Sequence, residues 1–325
     1  MKLLKLVPDD TNIKFLKYRI PFYVVSVLLI VASWALVATN GLNYGVDFAG
    51  GQEVRATFTE SAEAPVAEVR ETVGSLGYGS PVVQRFGEPN QVSIRVRLPD
   101  EVAEDKEAAQ RIANEVVGSL ESEFSDFRLD GNDNVSGKVS GEFFTQAQLA
   151  LLVAMLAIAL YIWIRFEWQF GVGALFALFH DVSLTLGMFA IFQMEFNLTT
   201  IAAILAIIGY SLNDTIVVYD RIRENLKKYR KMPIPELLDL SVNETLARTV
   251  MTSLTLLVAL LPLLLFGPEA LFGLTAAIFL GIFVGTYSSV YMAAPILIWL
   301  GVDSHSFVPE ETELDRQEKA ARHLG

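Results

Sequence analysis

The sequence contains no cysteine and only three histidines. The absence of cysteine excludes disulfides, thiolate zinc sites and thiol nucleophiles, and so few histidines argue against a histidine-rich metal site. The net charge of -12 argues against nucleic acid as a partner, because a phosphate-binding surface needs a concentrated basic patch. We therefore expect no metal, no cofactor and no nucleic acid.

Apolar residues are in excess. They make up 52% of the chain, and its mean hydropathy is +0.41, whereas soluble domains usually have about 45 to 50% apolar residues even when glycine is counted. Runs of about 20 apolar residues, each long enough to cross a bilayer as a helix, occur at 21–39, about 147–164, 170–192, 198–219, about 246–266 and 271–300. The sequence predicts a polytopic α-helical membrane protein with six transmembrane helices, the first one retained rather than cleaved as a signal.

Basic residues lie on one side of the predicted membrane. They precede span one and follow span four, as Lys2, Lys5, Lys14, Lys17, Arg19, Arg221, Arg223, Lys227, Lys228, Arg230 and Lys231. The short loops on the other side, 193–197 and 267–270, contain no lysine or arginine. The positive-inside rule then places residues 1–20, a loop at 220–245 and the tail at 301–325 in the cytoplasm, with both termini inside.

Residues 41–142 predict a folded domain on the opposite side of the membrane. Strand patterns occupy 52–58, 81–86, 92–98 and, more weakly, 127–139, and helical spacing occupies 66–76 and 101–124. This βαββαβ order is that of the ferredoxin-like fold, so we expect a small α+β domain. Its acidic residues are scattered along predicted helix surfaces and do not indicate a catalytic site.

A glycine-rich passage joins span one to the first strand of this domain. A phosphate-binding loop would lead into a helix and carry a lysine, but this passage leads into a strand. We expect Gly50 and Gly51 to let the backbone bend sharply at the membrane surface and Asp47 to cap that turn.

Two ionisable pairs lie inside predicted spans. His180 and Asp181 lie halfway along span three, and Asn213 and Asp214 lie near the end of span four. An aspartate at the centre of a membrane costs roughly 2.5 to 3.5 kcal/mol, so such a residue usually pairs, lines a cavity or titrates. For Asp181, a functional group and a polar clamp between helices both remain open.

Asp214 favours a functional interpretation because its surroundings are polar. Five hydrogen-bonding side chains fall within two turns, at Tyr210, Ser211, Asn213, Asp214 and Thr215. Arg248, near the start of span five, should lie at a comparable depth, and the two residues could pair directly. Making and breaking such a pair could relay protons, although a static salt bridge would use the same two residues.

Two further patterns are structural. Ser241 and Glu244 have the spacing of a capping box that could start span five after an interfacial helix at 233–248. Gly281 and Gly285 give span six a small-residue face for close helix packing.

Several motifs, in this order between the spans, resemble the SecD/SecF family of bacterial protein-export membrane proteins, on its SecF side and over nearly the whole chain. They are Tyr44-Gly-Val-Asp-Phe-Ala-Gly-Gly51, His180-Asp-Val182, Gly209-Tyr-Ser-Leu-Asn-Asp-Thr215, Asp220-Arg-Ile-Arg-Glu-Asn225, Arg248-Thr-Val-Met-Thr-Ser253 and Gly285-Thr-Tyr-Ser-Ser289.

The resemblance implies one six-helix half of an RND-superfamily unit in the bacterial inner membrane, with SecD supplying the other half. Asp214 would be the proton-responsive carboxylate, Arg248 its basic partner and Asp181 a weaker candidate. The implied task is to use the proton gradient, with sodium as an open alternative, to draw a preprotein from the SecYEG translocon. The partners would then be SecD, SecYEG, the translocating preprotein and membrane lipid.

Two rival functions remain. One is a proton-driven RND-type exporter half for lipids or drugs, which the single small extramembrane domain disfavours. The other is a non-transporting assembly subunit in which the intramembrane charges only fix helix packing. An enzyme has least support, because no nucleophile, metal cluster or paired acid lies where water and substrate meet.

Overall fold

The computed structural model describes residues 7–8, 11–78, 81–96, 106–135, 137–268 and 271–303. Lys2, Lys5, the start of the predicted helix at 101–105, the end of the loop at 267–270 and most of the tail at 301–325 lie outside the described residues.

The chain begins with a membrane helix and a folded domain. The elements are a 3-10 turn (Phe15–Tyr18), α1 (Arg19–Asn40), β1 (Asn43–Tyr44), α2 (Val46–Ala49), β2 (Gly51–Phe58), α3 (Val66–Gly74), β3 (Val82–Arg85), β4 (Gln91–Val96), α4 (Lys106–Glu123) and β5 (Phe127–Val135). Strands β2 to β5 form an antiparallel sheet in the order β3-β4-β2-β5. The ferredoxin-like prediction is confirmed.

The sheet has one apolar and one polar face, because successive strand residues point to opposite sides. Val54, Ala56 and Phe58 pack in a buried cluster with residues of α3 and α4, including Val69 and Leu120. The intervening residues of β2, which include Glu53 and Arg55, lie on the face that no domain helix covers.

The remaining chain is a helical bundle. Its elements are α5 (Gly137–Arg165), α6 (Trp168–Phe192), β6 (Glu195–Phe196), α7 (Leu198–Lys228), α8 (Ile234–Phe266), α9 (Phe272–Ser288), a π-helical turn (Ser289–Ala293) and α10 (Ala294–Trp299). Within the described chain, six helical stretches are long and apolar enough to cross a membrane, as predicted.

Two boundaries differ from the sequence expectation around α5. This helix begins at Gly137 rather than at about 147, and β5 ends at Val135 rather than at 139. The apolar run marks only the part of a helix that lies in hydrocarbon, whereas backbone hydrogen bonding continues into the polar turns before it. The predicted domain limit at 142 therefore falls inside a helix.

The connection between spans four and five is mostly helical. Helix α7 continues to Lys228, and α8 begins at Ile234, where the interfacial helix at 233–248 was expected, but runs unbroken into span five. Ser241 does not start a helix, because its hydroxyl donates to the Leu237 carbonyl one turn earlier, at 2.8 Å. The Asn225 amide of α7 also bonds Ser241, at 3.0 Å, so this serine ties two helices together.

Helix α9 packs closely on α7 through its glycines. A Cβ atom at Gly281 would collide with the Ile207 side chain, and one at Gly285 would lie 3.1 Å from the Ser211 Cβ. The small-residue face that was predicted in span six is thus the α7 contact, and it brings polar residues of both helices together.

The domain is fastened to the bundle where α7 begins. Strand β1 pairs in parallel with β6, and Asp47 Oδ2 accepts a hydrogen bond from the Leu198 backbone N–H at 2.9 Å. The prediction that Asp47 caps its own turn is wrong, because it caps α7 instead. Gly50 and Gly51 have φ values of 68° and 116°, which favour glycine, so they make the predicted bend.

Candidate functional site in the membrane helices

Asp181 of α6 is fully buried and lies where three helices meet. Its Oδ1 is 2.9 Å from Nδ1 of His180, and its Oδ2 accepts hydrogen bonds from Ser211 of α7 and Ser288 of α9. His180 is equally buried, and its Nε2 has no hydrogen-bond partner in the described chain. Both Asp181 oxygens are therefore engaged, as a polar clamp between helices requires.

Asp214 of α7 lies at a different interface, between α7 and α8. Its side chain is buried, and Oδ1 accepts a hydrogen bond from the Thr249 hydroxyl at 2.8 Å. Its Oδ2 is also buried but has no hydrogen-bond partner among the described residues. A half-satisfied carboxylate in apolar surroundings is costly when ionised, so a bound proton would remove most of that cost.

Arg248 does not form the direct pair that the sequence suggested. Its side chain is exposed on α8, and no ion pair joins it to Asp214 in the described part of the chain. Successive helix residues point about 100° apart, so the helix that aims Thr249 at Asp214 turns Arg248 aside. The arginine still lies beside the site in sequence, one position before the residue that holds the carboxylate.

The other polar residues predicted around Asp214 either bond to a neighbouring helix or lie outside the hydrogen-bond network. Thr215 bonds Ser289 at 2.9 Å, and Tyr210 bonds Ser253 at 2.7 Å, which in turn bonds Thr286 at 2.7 Å. Asn213 is exposed and lies outside this network. The polar residues of α7 thus face three different helices rather than one site.

The π-helical turn at Ser289–Ala293 helps to explain the contacts of α9. A π turn inserts an extra residue into a helix and shifts the side chains that flank it, which is why such turns often occur at functional sites. Here Ser288 reaches Asp181 and the adjacent Ser289 reaches Thr215.

Sequence reasoning missed Thr249, Ser288 and Ser289 as site residues. Thr249 follows Arg248 directly, but serine and threonine within an apolar helix commonly bond their own backbone, so their identity alone is a weak signal. Ser288 and Ser289 directly follow the small-residue face of span six. Only the contacts with Asp214, Asp181 and Thr215 on neighbouring helices distinguish these three residues.

Comparison with known families decides what this bundle is. The model of "Protein export membrane protein SecD/SecF, C-terminal" matches residues 116–303, and that of the "SecD/SecF GG Motif" matches residues 35–62. This chain belongs to the SecD/SecF family. The first match covers both buried aspartates, and the second covers Asp47 and the two glycines that join the domain to the bundle.

The similar proteins are SecF subunits. "Protein translocase subunit SecF" of Rhodobacter capsulatus is 41% identical over 311 residues, which is 92% of each chain. That of Cereibacter sphaeroides is 44% identical over 305 residues, covering 92% of this chain and 93% of the relative. The chain is therefore of the SecF type within the SecD/SecF family, and it is a multi-pass membrane protein.

A solved member of the family has the same architecture. The crystal structure of SecDF, described as a translocon-associated membrane protein from Thermus thermophilus, matches with a TM-score of 0.80 and 34% identity. The match covers 90% of this chain but only 39% of the SecDF chain. This SecF-type chain thus spans well under half of the length of that SecDF chain.

Proposed function

We propose that this chain works with SecD in the bacterial inner membrane, where it uses the proton gradient to promote late steps of preprotein translocation through SecYEG. The observation that carries the proposal is the Asp214 carboxylate, which is buried between two membrane helices with one oxygen that no described residue hydrogen-bonds. Such a group changes its contacts when it gains or loses a proton.

The consequence of protonation lies at the α7–α8 interface. When ionised, Asp214 holds the Thr249 hydroxyl and attracts the positive charge of Arg248; when protonated, it loses most of both attractions. The α7–α8 interface therefore has one packing arrangement when Asp214 is ionised and another when Asp214 is protonated. This supports Asp214 as the proton carrier, Arg248 as a positioning charge and Thr249 as its hydrogen-bond partner.

Helix α7 also connects this site to the folded domain. Its first residue is held by Asp47, and the strand before it pairs with β1. A shift of α7 would therefore pull on the backbone that leads into the domain's central strand β2. In our proposal this linkage converts proton binding into domain motion that draws the preprotein outward.

The proposed orientation places the domain in the periplasm and the chain termini in the cytoplasm. Positive residues collect at the bundle end away from the domain, where Arg165 pairs with Asp220 at 2.8 Å and Arg223 donates to the Arg165 carbonyl at 3.2 Å. The positive-inside rule supports a cytoplasmic location for this end.

SecD would cover the outer helices. In α5 and in α8, only 11% of the apolar stretch that would cross the membrane is buried. Exposed side chains such as Leu156, Leu160 and Val258 cover the outer faces of these two helices. Those faces require lipid or another membrane protein as a partner.

The decisive comparison is preprotein translocation into inverted membrane vesicles, with and without a proton gradient, for the native chain and Asp214→Asn. Asp220→Asn is the matched control, because this exposed carboxylate lies two turns later on the same helix. We expect Asp214→Asn to lose the gradient-dependent step at equal membrane abundance and SecD association, and Asp220→Asn to keep it. An assembly subunit would keep the step in both variants, which would refute the proposal.

A further inference from the structure

A polar cavity separates the domain from the membrane bundle. It has a volume of about 820 Å³ and lies between the uncovered face of the sheet and the segment that joins α6 to α7. Two carboxylic acids from different parts of the fold line it: Glu53 of β2 and Glu195 of β6. Neither residue belongs to the intramembrane cluster described above.

Glu53 is buried although its side chain is ionisable. Its side chain is only 3% exposed, its Oε1 accepts a hydrogen bond from Ser93 at 2.6 Å, and its Oε2 lies 3.6 Å from the Arg55 Nε, too far for a hydrogen bond. The Arg55 guanidinium is bonded to Asp133 instead, and its Nε is buried without a hydrogen bond in the described chain. Glu53 thus has an incomplete set of partners for a buried carboxylate.

Glu195 has even weaker compensation. It accepts one hydrogen bond from the Asn197 amide at 3.2 Å and forms no ion pair among the described residues. The positive charge of Arg95 also acts on Glu195, but its guanidinium donates its hydrogen bonds to the Tyr44 carbonyl, Asn43 and Gln84.

We propose that Glu53 and Glu195 form a proton-binding site at the junction of the domain and the membrane helices, in which Glu195 holds one proton and the negative charge of Glu53 in the same cavity favours its retention. Binding changes the charge of the pair from -2 to -1 and removes the repulsion between the two carboxylates. Two carboxyl groups in one poorly solvated site titrate in two separated steps for this reason.

The electrostatics of the junction agree with this assignment. Burial, followed by the charge of Glu53, raises the pKa of Glu195, although the Asn197 hydrogen bond, Arg95 and Arg55 oppose the shift. Apart from Glu88, which is exposed in the turn between β3 and β4, the other charged groups that line the cavity are Asp47 of α2, Arg85 of β3 and Asp133 of β5. These are engaged with the Leu198 N–H, Glu63 and Arg55 respectively.

The backbone that follows β1 packs against the Glu195 carboxylate. A Cβ atom at Gly45 would overlap Oε1 of Glu195, so the carboxylate lies directly against this backbone. The Gly45 N–H also donates to the Phe196 carbonyl at 3.0 Å, which holds the two segments together. Repulsion that follows loss of the proton is therefore relieved by loosening the junction, and proton binding on this side of the membrane strengthens the attachment of the domain to the bundle.

Infrared titration tests the proton directly. The full chain, assembled with SecD in lipid nanodiscs and carrying carbon-13 glutamate, is titrated for native protein, Glu53→Gln, Glu195→Gln and the exposed control Glu121→Gln. We expect a carboxylic acid signal that persists above the range of exposed glutamates, disappears in Glu195→Gln and titrates at lower pH in Glu53→Gln. Titration of Glu195 together with the exposed glutamates, or no response to Glu53→Gln, would overturn the proposal.

A milder variant keeps the test valid if a glutamine substitution disturbs folding. Ser93→Ala removes the hydroxyl that stabilises ionised Glu53. We expect the proton to be retained to higher pH in this variant. An unchanged titration would contradict the proposal that Glu53 and Glu195 act as a pair.

A distance measurement tests the mechanical consequence, and the absence of native cysteine makes it simple. Spin labels are attached at Glu121→Cys on α4 and Phe266→Cys at the end of α8, both exposed. We expect the distance distribution to broaden as the pH rises in the native background and to stay narrow in Glu195→Gln. Asp214→Asn should leave this response intact, so a failure here is distinguishable from a failure of the proposed transport function. A pH-independent distribution in the native background would refute the link to the junction.

Discussion

Thr249 donates its hydroxyl to Oδ1 of Asp214 across the α7–α8 interface, at 2.8 Å, while Oδ2 of the same carboxylate has no hydrogen-bond partner in the described chain. This asymmetry distinguishes Asp214 from Asp181, whose two oxygens accept bonds from or contact three other side chains. A carboxylate with all its hydrogen bonds made stabilises one packing arrangement of the helices around it. A carboxylate with one oxygen unbonded can change its partners, so a second arrangement is accessible.

Thr249→Val tests the partner of the proposed proton carrier. Valine keeps the shape of threonine but removes the hydroxyl that bonds Asp214, the only one to do so among the described residues. A hydrogen bond to a charged group is worth about 1.5 to 3 kcal/mol, so we expect gradient-dependent translocation to slow by roughly tenfold or more. Thr252→Val is the control, since Thr252 bonds only backbone carbonyls of its own helix. Equal rates for both variants would remove Thr249 from the mechanism.

Asp181→Asn tests whether the second buried aspartate is a clamp. Asparagine preserves the volume but weakens the bonds from Ser211 and Ser288, so we expect a loss of about 1 to 3 kcal/mol in stability. Thermal unfolding of the purified complex measures this loss, and the gradient-dependent step per folded molecule should persist. Loss of that step without any change in stability would instead make Asp181 a proton carrier.

Asp47→Ala tests the attachment of the domain to α7. Removing a side chain that caps a helix costs about 0.5 to 2 kcal/mol, so we expect faster amide hydrogen exchange over the first turn of α7, residues 198–201. Glu68→Ala on the exposed surface of α3 is the matched control within the same domain. Unchanged exchange in the first turn would show that Asn197, the local cap, is sufficient by itself.

Gly281→Ala tests the close contact of α9 with α7. The added methyl group would collide with Ile207, so we expect destabilisation of about 1 to 3 kcal/mol, partly restored by Ile207→Ala in the double variant. Gly209→Ala is the control, because a Cβ atom there meets nothing within 4 Å, and alanine favours a helix. If both glycine variants have the same stability, the contact is not tightly packed.

Much of the fold was predictable because it follows from local patterns. The alternation that predicted a strand at 52–58 matches β2 at Gly51–Phe58, and the runs that predicted spans three and four match α6 and the membrane part of α7. Both patterns arise because each side chain favours either water or an apolar environment. That preference belongs to the residue itself, so it can be read from the sequence.

The failures share a different cause. The segment before span five was expected to be a separate interfacial helix, but the described chain continues as one helix. Pro233 only precedes it, Pro235 lies in its first turn, where proline is tolerated, and Pro262 lies near its end. Ser241 has the spacing of a cap, yet the decision between cap and interior depends on whether the preceding turn is helical. That depends on packing against Asn225, which no local spacing reveals.

The amino-acid sequence by itself determined the six apolar spans, the βαββαβ order of the domain and the presence of costly carboxylates at Asp181 and Asp214. These follow from the transfer of each side chain between water and an apolar medium, which is a property of residues and short runs. Tertiary structure alone decided that Thr249 rather than Arg248 reaches Asp214, that Asp47 caps a helix 151 residues away, and that Glu53 and Glu195 line one cavity. Such contacts depend on the rotation of each helix and on how distant segments approach one another, and neither quantity is encoded in local spacing.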